Sequence, residues 1–524
     1  MNGDACLKKW RGIWTVKIGV LILPILLSAC GLGIDKGPAF NREAYGIKEK
    51  ELYFISYELE GVWPETVAKT IINKSIPEKS GPFLVNKSVL NEGSEPLIIA
   101  FNNIDQYIDQ SQGLPTVYQY KVIYKVNGIL ASASVFFNQS SSKVKSFLGA
   151  ERGTLMAHNK APSLSFYNLQ TEDYKITGAG DMEMMMLFAY EDYIVVIPDQ
   201  LGFGISEQVF HPYCIASTSV DSMIGALNAA KQVVEIESKT STFNQDLYLT
   251  GYSQGGYSAM ASCKAIIEDP SIVNLTLKAC APNAGPFDLS GVMTELMLSE
   301  FVISPTFLPY LIFAYQAHYG ADFYQENDVW TSIEVLDLEG LDIGAVRSIE
   351  DEIQSKLEEF AAGPANKNIN IGSQIKEAFD FSEESGQNIL VAMSPEFPTL
   401  NFTPKTILNE ELRDQLNLDL KSQTQSNRLT QKLWENDLYR VHEWRGDYTA
   451  VPFQLCHLEG DRIVPKQNSK NTVKNAAEMN LVDPSGGIEL FTEEGIKSLL
   501  FHHILGIIPC YKETKVFFDK IKNS

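Results

Sequence analysis

Residues 247–267 read LYLTGYSQGGYSAMASCKAII, in which an apolar strand pattern runs through a glycine-rich turn into a helical pattern. Ser253 lies at the turn, with Gly251 two positions before it and Gly255 two positions after it. Glycine is required at both flanking positions, because a Cβ atom there would collide with the neighbouring strand or helix. The pattern predicts a nucleophilic serine at a strained turn, beside the free N–H groups of a helix start.

The preceding segments alternate between strand and helix patterns. Val117–Tyr124 alternates in polarity, Asn127-Gly128 is typical of a tight turn, and Ala131–Phe137 is largely apolar, which together predict a hairpin. Tyr193–Asp199 predicts a buried strand that ends at Gly202-Phe203-Gly204. Short strands that alternate with helices are typical of a mostly parallel sheet flanked by helices, and this α/β class is predicted.

A serine nucleophile needs a base, and the base needs a carboxylate to orient it. The strand pattern Pro452–Leu458 is followed by a loop with Glu459 and Asp461, before a helical pattern that starts at Gln467. A carboxylate on the loop directly after a sheet strand suits this role, so we predict Asp461 as the acid, with Glu459 as the alternative. Asp199 precedes the serine in the chain and is expected to brace its own loop through backbone amides.

The seven histidines offer few candidates for the base. Triads built around a glycine-flanked serine of this kind follow the order Ser, Asp, His, and the histidines after Asp461 are His502 and His503. We predict His503 as the base, because the Gly506 segment that follows lets the chain turn into the last helix; His502 is the alternative. His457, inside a predicted strand, is expected to be structural.

These segments together resemble the α/β-hydrolase superfamily, and within it the secretory-lipase-like esterases and their bacterial lipoprotein relatives. His211-Pro212-Tyr213 and Ala284–Asp288 add to the resemblance, which covers about residues 116–290 and 435–524. It implies an α/β-hydrolase fold and hydrolysis of a carboxylic ester by Ser253, Asp461 and His503 through an acyl-enzyme. No cofactor is implied, and the sequence shows no clustered His and acidic residues that predict a metal site.

The oxyanion site departs from the pattern of these relatives. The backbone N–H of Gln254 is the expected first donor. Relatives carry a His-Gly-type or His-Tyr-Thr-type loop after the third strand, whereas this chain has Leu155–Lys160, which contains no glycine. A backbone N–H near Asn159 or Lys160 is the expected second donor, and His158 is expected to brace the loop.

The spacing of the predicted triad indicates an inserted cap. Asp461 follows Ser253 by 208 positions, more than a minimal core needs. We therefore divide the chain into a signal peptide (1–29), a tether and N-terminal extension (30–115), a hydrolase core (116–290 and 436–524) and a large, mainly helical cap (291–435). Apolar cap segments such as Phe307–Phe313 predict either an acyl-chain pocket or the cap's own core.

The N-terminus has the features of a targeting segment. Four basic residues precede the apolar run Ile18–Leu27, which is too short to span a bilayer. The run ends in Leu27-Ser28-Ala29-Cys30, which resembles the lipobox of bacterial lipoproteins, so Cys30 is the predicted lipid attachment site; an ordinary cleaved signal is the alternative. The prediction is a protein of the bacterial cell envelope, anchored to the membrane outside the cytoplasm.

The amino-acid composition restricts the classes of molecule that the protein is expected to bind. Acidic residues outnumber basic ones by 65 to 43, a net charge of −22, which disfavours nucleic-acid binding. The five cysteines after Cys30 show no CxxC spacing, so we expect apolar packing with at most one or two disulfides. A small-molecule ester or lipid is the predicted substrate, and the oligomeric state stays open. The alternative functions are a serine peptidase of the same fold and an inactive surface-binding lipoprotein.

Overall fold

The computed structural model describes residues 53–69, 82–84, 98–101, 113–139, 143–155, 158–167, 174–176, 181–238, 242–299, 307–320, 323, 333–334, 368–369, 408–490 and 502–524. The predicted signal peptide and Cys30 lie outside these residues, as does much of the predicted cap. Within the described residues, no helix combines the length and the apolar character that crossing a membrane requires.

The strands of the described residues are β1 Tyr53–Trp63, β2 Pro82–Leu84, β3 Ile98–Phe101, β4 Val117–Val126, β5 Ile129–Asn138, β6 Lys145–Glu151, β7 Phe166–Tyr167, β8 Tyr174–Lys175, β9 Tyr193–Pro198, β10 Phe243–Tyr252, β11 Thr276–Asn283, β12 Ile333–Glu334, β13 Asn368–Ile369, β14 Gln454–Cys456, β15 Asn480–Val482 and β16 Ile488–Leu490. The α-helices with defined bounds are α1 Met182–Leu187, α2 Ala216–Glu237, α3 Gln254–Glu268, α4 Thr294–Met297, α5 Phe307–Tyr319, α6 Glu410–Ser422, α7 Arg428–Glu435, α8 Gln467–Lys474, α9 His502–Leu505 and α10 Ile507–Lys522.

A nine-stranded sheet in the order β11-β10-β6-β9-β5-β4-β1-β7-β8 organises the molecule. The half that carries β9, β6, β10 and β11 is parallel, whereas β1, β4 and β5 pair antiparallel, as does β5 with β9. A single bridge between Cys280 and Phe453 brings β14 alongside β11, and β15 pairs with β14 in parallel. The predicted α/β class and the predicted β4–β5 hairpin are confirmed.

The continuous apolar run of β9 reflects burial on both faces of the sheet. Ile194 and Val196 pack into the cluster that contains residues of α2 and α3, while Val195 and Ile197 pack into the cluster that contains α1 and part of α10. Successive side chains of a strand point to opposite faces, so a strand covered by helices on both sides needs apolar residues at every position.

The N-terminal extension contributes a strand that the sequence pattern does not predict. β1 pairs antiparallel with β4 from Tyr53, opposite Lys125, to Trp63, opposite Val117, so the sheet begins well before residue 116. Irregularities in its register interrupt the period of two, and the side chains of Ile55 and Leu59 are 41% and 53% exposed. A bulged strand with apolar residues facing solvent shows little of the alternation that strand prediction relies on.

Two disulfides connect the helices to the sheet. Cys263 of α3 is bonded to Cys280 of β11, and Cys456 of β14 is bonded to Cys510 of α10. Cys214 is buried as a free thiol. Both bridges lie within the number expected from the sequence.

The described parts of residues 291–435 include the helices α4, α5, α6 and α7 and the short strands β12 and β13. Because the rest of this segment lies outside the described residues, the extent of the predicted cap stays a prediction.

Candidate active site

Ser253 lies between the end of β10 and the start of α3 with φ +60° and ψ −125°. A positive φ is unfavourable for a residue with a Cβ atom and marks a strained turn. The predicted need for glycine is confirmed: a Cβ atom on Gly251 would lie 2.3 Å from the carbonyl oxygen of Gly255. One on Gly255 would lie 2.0 Å from the carbonyl oxygen of Glu151, at the end of the neighbouring strand β6.

The structure brings Ser253, His503 and Asp461 together. The Ser253 hydroxyl donates a hydrogen bond to His503 Nε2 at 2.7 Å, and His503 Nδ1–H donates to Asp461 Oδ2 at 2.6 Å. Asp461 and His503 are both buried, with exposed fractions of 5% and 6%. A relay in which a base accepts the serine proton while a carboxylate fixes the tautomer of the base requires this arrangement.

Of the two alternatives, Glu459 for the acid and His502 for the base, the structure describes the surroundings of Glu459 only. Glu459 is exposed and forms ion pairs with Lys466 at 3.2 Å and Lys470 at 3.4 Å. His502 begins the short helix α9 that carries His503, and its side chain lies outside the described part of the structure.

Asp461 is held by hydrogen bonds to both carboxylate oxygens. Oδ1 accepts from the backbone N–H groups of Ile463 at 3.0 Å and Val464 at 2.9 Å, while Oδ2 faces His503 and His457. Burial alone would raise the pKa of Asp461, but the attraction of His503 and the hydrogen bonds from both histidines outweigh it and lower the pKa below its ordinary range. The carboxylate therefore stays ionised where a base would need it.

His457 is a positioning residue for that carboxylate. Its Nε2 lies 2.8 Å from the carbonyl oxygen of Val464 and 3.2 Å from Asp461 Oδ2, so Nε2 carries the proton and donates to both. Nδ1 then accepts from the Ser469 hydroxyl at 2.8 Å. The expected structural role of His457 thus takes the form of a fully buried contact with the acid.

Tyr252 fixes the position of the base, a contact that the sequence did not predict. Its hydroxyl donates to the backbone carbonyl of His503 at 2.7 Å, and the two rings lie 5.2 Å apart. A Cβ atom on Gly506 would lie 2.2 Å from the Tyr252 hydroxyl oxygen, so glycine at this position leaves room for the hydroxyl. A tyrosine in the turn motif offers no local signal for a partner 251 positions away.

Gln254 is the first residue of α3, and the first N–H groups of a helix have no partner within the helix. Its side chain is anchored: Nε2 donates to His211 Nε2 at 2.6 Å and to Gln200 Oε1 at 3.1 Å. His211 Nδ1–H donates to the Leu201 carbonyl at 2.7 Å, which leaves Nε2 free to accept. Burial and the nearby Arg152 lower the pKa of His211 to about 3, so its ring is neutral.

An apolar cleft opens beside Ser253. Besides Ser253 itself, four segments line it: the stretch just before α2, the stretch that follows β11, helix α5, and the loop after Asp461. The lining residues are Tyr213, Cys214, Ser253, Pro286, Leu289, Met293, Leu296, Met297, Phe307, Leu308, Leu311, Arg462, Ile463 and Val464. Other α5 residues, among them Ile312 and Tyr315, are buried in the main hydrophobic cluster, so this helix contributes both to a pocket wall and to the core.

Comparison with known proteins adds the fold family. No family model and no curated protein matches the sequence. Among solved structures, the chain is similar to the rice cell wall degrading esterase LipA from Xanthomonas oryzae, with a TM-score of 0.59 at 18% identity over 88% of this chain and 97% of that one. A Legionella pneumophila protein gives a TM-score of 0.55 at 18% identity over 89% and 98%. The chain has the α/β-hydrolase fold.

Several ionisable groups are buried beneath the turn at Ser253, and the sequence did not predict them. Glu151, at the end of β6, is fully buried, accepts from Gln200 Nε2 at 2.7 Å and has a pKa raised to about 7 by burial. The next residue, Arg152, donates to the Asp199 carbonyl at 2.8 Å and lies 4.4 Å over the ring of Phe203. Burial lowers its pKa to about 10.

Asp199 has a bracing role, as expected, but with a different partner. Its Oδ1 accepts from the backbone N–H of Ser163 at 2.7 Å and its Oδ2 accepts from the Ser132 hydroxyl at 2.5 Å. It therefore braces the turn at Pro162–Leu164 through a backbone amide. The His158 ring packs 5.6 Å from that of Phe203, and the second oxyanion donor stays a prediction.

Proposed function

We propose that the chain is a serine hydrolase that cleaves carboxylic esters through an acyl-enzyme. The observation that carries the proposal is the unbroken chain of hydrogen bonds from the Ser253 hydroxyl through His503 to Asp461, on a strained turn at the start of a helix. The description of the similar Xanthomonas oryzae protein as an esterase supports the same reaction class.

The geometry accounts for each proton in the reaction. His503 Nε2 accepts the Ser253 proton as Oγ attacks the ester carbonyl carbon, and the N–H of Gln254 stabilises the oxyanion that forms. When the tetrahedral intermediate collapses, His503 donates this proton to the departing alcohol. Water then attacks the acyl-enzyme with the same base, which releases the acid and regenerates Ser253. Asp461 stabilises the imidazolium in both halves without taking the proton.

The cleft favours an ester with an apolar acyl chain. Met293, Leu296 and Leu311 line the same cleft as Ser253, and apolar side chains of this kind bind hydrocarbon through burial of its surface. A small ester or a lipid is the substrate class that we propose, with no cofactor.

We also propose that the enzyme acts outside the cytoplasm as a lipoprotein attached through Cys30. Two disulfides among the described residues support an oxidising compartment. The test is expression with an alkyne-labelled fatty acid: wild type is expected to take up label in the membrane fraction, and Cys30→Ser to lose it. Equal labelling of both would contradict the anchor.

The activity is tested with p-nitrophenyl esters from acetate to palmitate and residues 31–524 of the chain. Ser253→Ala is expected to lower kcat by about 10³-fold or more, with unchanged urea unfolding. Ser262→Ala is the matched control, because this serine is buried in the helix that Ser253 precedes, about two and a half turns further on. Near-normal turnover by Ser253→Ala would refute the mechanism, and a folded wild type without activity on any ester would favour an inactive binding protein.

A further inference from the structure

Among the described residues, Arg462 is the one charged residue that lines the cleft. Arg462 is exposed and directly follows Asp461 on the acid loop. The other lining residues are apolar or uncharged, so Arg462 contributes the one positive charge of this lining.

The acidic groups around Arg462 are already bonded to other partners. Both carboxylate oxygens of Asp461 accept hydrogen bonds from backbone amides or histidines. Glu459 is paired with Lys466 and Lys470, and Asp483 with Lys466. Among the described residues, the Arg462 side chain forms no hydrogen bond and no ion pair, so its charge is not neutralised.

The backbone around Arg462 is fixed, which places this residue within reach of the cleft. The N–H groups of Ile463 and Val464 are both bonded to Asp461, and these two residues line the cleft next to Arg462. The whole chain carries a net charge of −22, a field that repels anions. A cation without a partner at the reactive serine reverses that preference locally.

We propose that Arg462 binds an anionic group of the substrate, so that the preferred substrates are apolar esters that carry a carboxylate or a phosphate. Guanidinium matches both anions through two parallel N–H donors, whereas lysine offers a point charge. The inference rests on the proposed ester hydrolysis and adds the charge of the substrate.

The test measures kcat/KM for matched charged and neutral esters. On the alcohol side, 4-(hexanoyloxy)benzoate and 4-(hexanoyloxy)phenyl phosphate are each compared with 4-(hexanoyloxy)benzamide, which separates the two anions. On the acyl side, the mono-p-nitrophenyl ester of adipic acid is compared with p-nitrophenyl hexanoate. The ratio of charged to neutral substrate cancels any change in Ser253, His503 or Asp461 that affects both members of a pair.

Arg462→Gln is expected to lower the charged-to-neutral ratio about tenfold for at least one pair, and Arg462→Lys to lower it about threefold. Raising the salt concentration to 0.5 M should lower the wild-type ratio as well. The control is Arg445→Gln, which removes the same charge far from Ser253. The backbone N–H of Arg445 donates to Glu268 at the C-terminal end of α3, whereas Ser253 precedes the N-terminal end. The 15 residues of that helix span roughly 22 Å. The ratios of Arg445→Gln should match those of wild type.

Unchanged ratios for every pair in Arg462→Gln, with normal cleavage of p-nitrophenyl hexanoate, would overturn this inference and leave the esterase proposal intact. No cleavage of any ester by wild type would overturn both. A lower ratio in one pair supports the inference and identifies whether the anion lies on the acyl or the alcohol side.

Discussion

At the scale of single residues, Asp461 and Glu459 lie two positions apart but have different surroundings. Asp461 is buried against His503, whereas Glu459 is exposed and paired with lysines. Asp461→Asn is expected to lower kcat by about 10³- to 10⁴-fold, because the amide no longer holds the Nδ1–H tautomer of the base. Glu459→Gln removes the same charge nearby and should stay within about threefold of wild type. Steady-state kinetics on one p-nitrophenyl ester measures both, and a larger loss in Glu459→Gln would reverse the assignment.

Which site residues could be predicted depends on how local their signals are. The turn at Ser253 can be predicted from six consecutive residues, because the glycines that it requires are its sequence neighbours. The contact between Tyr252 and the His503 carbonyl joins residues 251 positions apart, and nothing near either residue indicates it. Arg152 and Glu151 resemble ordinary surface charges in the sequence, and only the packing of the sheet shows that both are fully buried.

At the scale of elements, the disulfide Cys456–Cys510 joins the strand before the acid to the helix after the base. Cys456 ends β14 five positions before Asp461, and Cys510 lies in α10 seven positions after His503. The other bridge, Cys263–Cys280, joins α3 to β11. The first bridge therefore connects the two elements whose separation sets the distance between Asp461 and His503.

Replacing both Cys456 and Cys510 with alanine is expected to lower the free energy of unfolding by about 4 kcal/mol, because this disulfide closes a loop of 54 residues. Replacing both Cys263 and Cys280 is expected to lower it by about 3 kcal/mol, because that loop has only 17 residues. At a temperature where both variants are folded, the Cys456/Cys510 variant should lose at least tenfold more kcat, because the acid and base are less well positioned. Urea unfolding and kinetics at 15 °C measure this. Equal kcat in the two variants would limit the bridge to a role in stability.

The elements also differ in how far the sequence predicts them. β9 and the second half of β10, from Leu247, are evident as apolar patterns because helices cover both faces of the sheet there. β1 is not, since its register irregularities and its exposed side chains Ile55 and Leu59 hide the alternation, and its pairing with β4 is a contact between distant parts of the chain.

At the scale of the whole molecule, burial of acidic groups couples stability to pH. Burial raises the pKa of Glu151 to about 7 and those of Asp181 and Asp437 to about 6. A carboxyl group with a raised pKa stays protonated in the folded state while its unfolded counterpart ionises. Each group therefore lowers stability as pH rises from its unfolded pKa to its folded pKa, and has no further effect above that. Asp461 has the opposite effect on stability, because its pKa is lowered: its ionised form stabilises the folded state, and this stabilisation is lost as pH falls below the unfolded pKa.

Glu151→Gln isolates the largest of these contributions, because the amide oxygen can still accept from Gln200 Nε2 without ionising. We compare the free energy of unfolding of the variant with that of wild type. The difference, variant minus wild type, should rise by at most about 3 kcal/mol between about pH 4.5 and 7 and stay level above pH 7. Urea unfolding at pH 4.5, 6, 7 and 8 measures this difference, with the exposed Glu207→Gln as the control. A difference that does not change with pH would mean that Glu151 is ionised in the folded protein, with its charge balanced by the adjacent Arg152 guanidinium. In that case the group beneath the turn at Ser253 is a buried ion pair and not a neutral buried acid.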